Sequence, residues 1–120
     1  MARTVLFVYG TLKTGGQSNH LLAGAEFLGR ARTLPLYRLY GLGWHPGLVV
    51  DQTNGVSVHG ELWAVDDSLL AKLDAYEGTP EWFRREAIAI ADHFGDVQAY
   101  FFNGEVPADA PCGDRWPLAC

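Results

Sequence analysis

The 120-residue sequence predicts an α+β fold in which the strands outnumber and outlast two helices. Three observations carry this. Apolar residues alternate with period two in several runs, of which "VSVHGELWAV" is the longest. One segment, "SLLAKLDAYE", repeats its apolar residues at helical spacing instead. Between these runs, 14 glycines and 6 prolines cut the chain into short pieces.

In chain order, Thr4 to Tyr9 is the first strand, and "YGTLKTGG" breaks it into a glycine-punctuated loop. Ser18 or Asn19 is placed to cap a short helix through "HLLAGA", which Gly24 weakens or ends. Residues 27–33 and 36–40 have strand composition, and "GLGWHPGLVV" is a Gly/Pro-rich loop closing into a short strand. Along 56–65, Val58, Leu62 and Ala64 fall on one face, with His59, Glu61, Trp63 and Val65 on the other. Asp66 or Asp67 then caps the main helix, where Leu69, Leu70, Leu73 and Tyr76 form the apolar stripe. Gly78 stops that helix and Pro80 prevents its resumption. "FRREAIAIAD" and "DVQAYFF" flank "HFG" as a hairpin, and the chain after Asn103 is an irregular tail over the surface.

All of 1–120 reads as one domain, large enough for a real core. Hydrophobic residues at 48% and charged residues at 19% place it among folded proteins rather than disordered ones. A net charge of −5 with nine Lys plus Arg argues against nucleic acid and anionic membranes as partners. No apolar run approaches the ~18 residues of a spanning helix. No signal-peptide pattern precedes the first strand, and Cys112 and Cys120 lack CxxC or Cys/His spacing. A cytoplasmic protein with reduced thiols is expected; a disulfide within the tail stays open.

The glycine loop poses the functional question. A P-loop needs G-x-x-x-x-G-K-[ST], but position 16 is Gly and 17 is Gln, and G-x-G-x-x-G is absent. Gly10, Thr11 and Leu12 nonetheless suit a small anion nest of backbone N–H groups, fit for a carboxylate as much as a phosphate. A tight turn that merely needs glycines is the plainer alternative.

Glu77 is the second signal. It sits in the last helical turn, where unpaired carbonyls disfavour an ionised carboxylate. That field, with any burial, raises a Glu pKa toward neutrality and suits a group that both accepts and donates a proton. Glutamates at helix ends are also common on ordinary surfaces. Asp74, one turn earlier, is a solvated residue or a partner of Arg84 or Arg85. Glu61, in mid-strand, favours a structural role. His20, His45, His59 and His93 have no metal-ligand spacing, so no metal and no cofactor are expected. No G-x-S-x-G elbow or Cys–His pattern supports covalent catalysis. The four tryptophans, at 44, 63, 82 and 116, read as core or loop-packing residues.

Taken together, "FVYGTLKTGGQSNHLL", "YRLYGLGWHPGLV" and "VHGELWAVDDSLLAKLDAYEG" resemble the gamma-glutamylcyclotransferase-like proteins, nearest the gamma-glutamylamine cyclotransferase branch and its bacterial relatives. The resemblance covers Val5 to Phe102. It implies a compact mixed β-barrel-like sheet with two main helices packed outside. It further implies that Tyr9, Gly10, Thr11 and Leu12 bind the glutamyl group and that Glu77 is catalytic. The implied reaction releases 5-oxoproline and a free amine from a gamma-glutamyl amide, metal-independently, as a lyase or transferase. A small gamma-glutamyl compound is the expected partner, and no obligate protein partner is inferred. Where the family carries two tyrosines, this chain has Phe83 and Phe102, which are expected in the pocket wall without their hydroxyls. Asn19, Tyr76 and Tyr100 are candidate substitutes, Asn19 as a further part of that wall. The alternative is a non-catalytic small-molecule or partner-binding module on the same fold.

Overall fold

The computed structural model describes residues 3–93 and 95–118. Eight strands and one α-helix are present among them: β1 (Arg3–Val8), β2 (Glu26–Arg32), β3 (Tyr37–Gly41), β4 (Pro46–Val50), β5 (His59–Asp66), α1 (Asp67–Tyr76), β6 (Phe83–Ala87), β7 (Gln98–Phe102) and β8 (Cys112–Gly113). A five-stranded sheet runs β2-β5-β1-β7-β6 and a three-stranded sheet runs β4-β3-β8. All named pairings are antiparallel except β1 with β7.

β1 is central, and its apolar run follows from burial on both faces. Phe7 and Tyr9 point into a core shared with Leu39 and Leu48 of the smaller sheet. Leu6 and Val8 point the other way, into a second core with Leu70 and Leu73 of α1. Burying those two leucines stabilises the helix contact by roughly 1.5–3 kcal/mol each. β5 is likewise buried on both sides, with Leu62 in the first core and Val65 in the second.

The mixed α+β fold is as expected, and two details of it differ. The larger sheet is not a closed barrel: β2 and β6 are its edges, and one bridge, Thr33 to Ile90, joins the chain just beyond them. The second helix is a single 3-10 turn, Asn19–Leu22, without a side-chain cap. Both capping candidates are engaged elsewhere, Ser18 Oγ with the Tyr76 hydroxyl at 2.7 Å and Asn19 Nδ2 with the Leu12 carbonyl at 2.8 Å. Gly24, at φ 91°, then ends a stretch too short to offset helix nucleation.

The main helix forms as expected, with Asp66 as its cap: the Asp66 carboxylate accepts from Leu69 N–H at 2.8 Å. β6 and β7 form the expected antiparallel pair. The tail is irregular apart from β8, which adds to β3. Cys112 is exposed and its Sγ accepts from Arg38 at 3.0 Å; Cys120 lies outside the described residues. No helix among the described residues is long and apolar enough to cross a membrane.

Candidate active site

β1 delivers the glycine loop to one end of the sheet, and the rest of the molecule pins it there. Ser18 N–H donates to the Thr11 carbonyl at 2.8 Å, and Gly16 N–H to that of Lys13 at 2.7 Å. Glu61, buried in β5, accepts from Thr14 N–H at 2.8 Å, Thr14 Oγ1 at 3.2 Å and Trp63 Nε1 at 3.1 Å. Its role is therefore the structural one favoured from the sequence. Lys13 leaves the loop outward, donating to the Trp116 carbonyl at 2.6 Å, and burial lowers its pKa. Gly10 is required by close approach, since a Cβ there would lie 2.7 Å from Pro46 Cγ. The N–H groups of Gly10, Thr11 and Leu12 find no acceptor among the described residues. Three unpaired donors on a pinned loop can receive negative charge.

Opposite the loop is the end of α1. Gly78 N–H donates to the Ala75 carbonyl at 3.2 Å and Thr79 N–H to that of Asp74 at 3.0 Å, the two bonds of a Schellman motif. Gly78 takes the left-handed conformation this requires, at φ 68°. Glu77 is the C-cap, and its carboxyl faces a cavity of about 500 Å³. Burial raises its pKa to about 7. Desolvation, rather than the helix field alone, is thus the dominant cause.

Tyr9, Gly10, Thr11, Leu12 and Glu77 all line this cavity, as do Phe83 and Phe102. Asn19 does not; it holds the loop from behind through Leu12. Tyr76 and Tyr100 reach the wall with their hydroxyls already committed, to Ser18 and to Asp74 Oδ1 at 2.7 Å. Asp74 also accepts from Arg85 at 2.9 and 3.1 Å. Its burial pushes the carboxyl up, but Arg85 and Tyr100 outweigh this and hold it below the usual range. Arg85 is thereby its partner. The Tyr9 hydroxyl donates to the Tyr100 carbonyl at 2.6 Å. Burial, and then the charge of Glu77, raise the Tyr9 pKa well above normal, so it remains a neutral donor.

Sequence reasoning missed Trp44, His45 and Trp82. They line the cavity too, and the two tryptophans are 62% and 68% exposed, not core residues. Their setting in "GLGWHPG" and "TPEWF", among turn residues, is the signal that could have found them. Trp82 packs on the glycine after Glu77: a Cβ on Gly78 would lie 2.7 Å from Trp82 Cδ1. Among the described residues, no lysine or arginine lines the cavity, and no cluster of three or more His, Cys, Asp or Glu is placed to hold a metal ion.

Comparison with known proteins gives the family. The family model for "Gamma-glutamyl cyclotransferase, AIG2-like" matches residues 6–117. A Vibrio cholerae protein of the gamma-glutamylcyclotransferase type is 41% identical over 99 residues, 82% of each chain. Bovine gamma-glutamylaminecyclotransferase is 44% identical over 94 residues, which cover 72% of this chain and 55% of the bovine one. The crystal structure of a mouse AIG2-like protein superposes with a TM-score of 0.85 at 25% identity, covering 97% of this chain and 89% of the mouse chain. With a family match over residues 6–117 and a relative 41% identical over 82% of its length, the chain belongs to the gamma-glutamyl cyclotransferase, AIG2-like family.

Proposed function

We propose that this protein is an enzyme that cleaves gamma-glutamyl amides by cyclisation, releasing 5-oxoproline and a free amine. One observation carries the reading. A carboxyl poised near pH 7 shares a cavity with three unpaired loop amides, on a wall that carries no serine, cysteine or lysine among the described residues.

In this reaction the nucleophile belongs to the substrate. The α-amine lone pair attacks the γ-carbonyl carbon, a five-membered lactam closes, and the bond from that carbon to the amide nitrogen breaks. Glu77, as carboxylate, takes the proton from the attacking nitrogen and gives one to the departing nitrogen, so no water is consumed. Loop N–H groups at Gly10, Thr11 and Leu12 hold the α-carboxylate or the developing oxyanion, as donors aimed at growing charge do. Folding the substrate into attack geometry supplies on the order of 7–11 kcal/mol of the barrier. Phe83 and Phe102 exclude water from the site. The setting we propose is the cytoplasm.

Product identity tests this. Incubation with gamma-glutamyl amides, followed by mass spectrometry, should yield 5-oxoproline and amine in equal amounts. Glutamate in place of 5-oxoproline would mean water attacks instead, and no product from folded protein would reject the enzyme reading.

A further inference from the structure

We propose that Asp74 is a positioning residue: it occupies the Arg85 guanidinium and so keeps that cation from pairing with Glu77. The consequence for catalysis rests on the cyclotransferase reading and deepens it. Arg85 and Tyr100 are register partners across β6 and β7, and Tyr100 belongs to the core beneath α1. Successive side chains of a strand face opposite ways. Arg84 accordingly turns to the other core, its guanidinium 5.3 Å from the Phe101 ring, while Arg85 rises toward α1. There Asp74 meets it with both carboxylate oxygens, at 2.9 and 3.1 Å, and also accepts from the Tyr100 hydroxyl at 2.7 Å. The Asp74 carbonyl is held as well, by Thr79 N–H at 3.0 Å and Thr79 Oγ1 at 2.7 Å. Side chain and backbone of Asp74 are thus both fixed.

Glu77 is the competing acceptor. It follows Asp74 by three residues, a spacing that makes side chains neighbours on a helix surface. Tyr100, which donates to Asp74, lines the cavity together with Glu77. A guanidinium left without Asp74 would find the Glu77 carboxylate next, hold it ionised and remove its ability to carry a proton. The other titratable groups lining the cavity are Tyr9, His45, Tyr76 and Tyr100, and Lys13 leaves the loop for the Trp116 carbonyl. None of these places a fixed positive charge on the cavity wall. With Arg85 neutralised by Asp74, burial is what sets the proton affinity of Glu77.

The test is an NMR titration of the glutamate side-chain carboxyls, with Glu77→Gln identifying the Glu77 signal. Wild-type Glu77 should titrate at about 7. Asp74→Asn keeps the shape but frees the cation, so the midpoint should fall to about 6 or below. Arg85→Gln leaves the Asp74 charge unopposed, so the midpoint should rise to about 8. The double variant removes both charges and should return to about 7, and Asp74→Glu, which keeps the charge, should stay there. The inflection of log kcat/KM should move with each midpoint. If one single variant fails to fold, the other and the double variant carry the same comparison. A midpoint unmoved in the folded single variants, or moved in the same direction by both, overturns the proposal and leaves Asp74 a structural tie. The titration needs no turnover, so an absence of 5-oxoproline would reject the cyclotransferase reading alone.

Discussion

At the residue scale, Glu77 carries a conflict between stability and chemistry. Its pKa of about 7, raised by burial, keeps a large protonated fraction near neutrality, which suits a group that must first accept and then donate. As the base it must start ionised, so log kcat/KM should rise with pH through an inflection near 7. An inflection near 4–5 would place the carboxyl in water. The stability consequence has the opposite direction. Folding disfavours the charged form, so the cost is absent below the unfolded pKa of ~4.5 and grows until pH passes about 7. Glu77→Gln should therefore stabilise the protein by on the order of 2–3 kcal/mol at pH 8 and change little at pH 4, as thermal unfolding at the two pH values would show. That Glu77 stood out was legible from its position before Gly78. How far its pKa moves was not, because burial is set by the fold, and Tyr9 and Tyr100, which share its cavity, are distant in sequence.

At the element scale, the two ends of α1 are built differently and should respond differently. Asp66 caps the start, away from the cavity lining, so Asp66→Ala should cost about 1 kcal/mol and leave kcat intact. Gly78 fixes the end that presents Glu77. Gly78→Ala forces an L side chain to φ 68° and into Trp82, costing at least about 1–2 kcal/mol. It should also lower kcat by displacing the carboxyl. Chemical denaturation with kinetics on both variants checks the contrast; equal kinetic effects would refute it. α1 was legible because its stripe, cap and stop agree with one another. The 3-10 turn was not, since Ser18 and Asn19 look like caps until their side chains find Tyr76 and the Leu12 carbonyl.

Across the whole molecule, the cavity exists because three separately made parts converge: the loop after β1, the end of α1, and the segment entering β4. The shared core fixes the first relative to the third, since Tyr9 and Leu48 pack in it. The second core fixes the first relative to α1 through Val8, Leu12 and Leu73. Local patterns revealed each part, but not that Trp44 and Trp82 would line one cavity, because neither residue's neighbours encode the other. Nor does strand composition reveal whether a sheet closes; that depends on β2 and β6 pairing, and only the residues just beyond them, Thr33 and Ile90, form a bridge.

The most direct test is kcat for 5-oxoproline release by wild-type protein and by Glu77→Gln on the same gamma-glutamyl amide. Removing the proton carrier while keeping its shape should lower kcat by roughly 10²–10⁴-fold, with affinity for the substrate held within a few-fold. Turnover in folded Glu77→Gln within about threefold of wild type would show that the proton moves without this carboxyl, and the account would fail there.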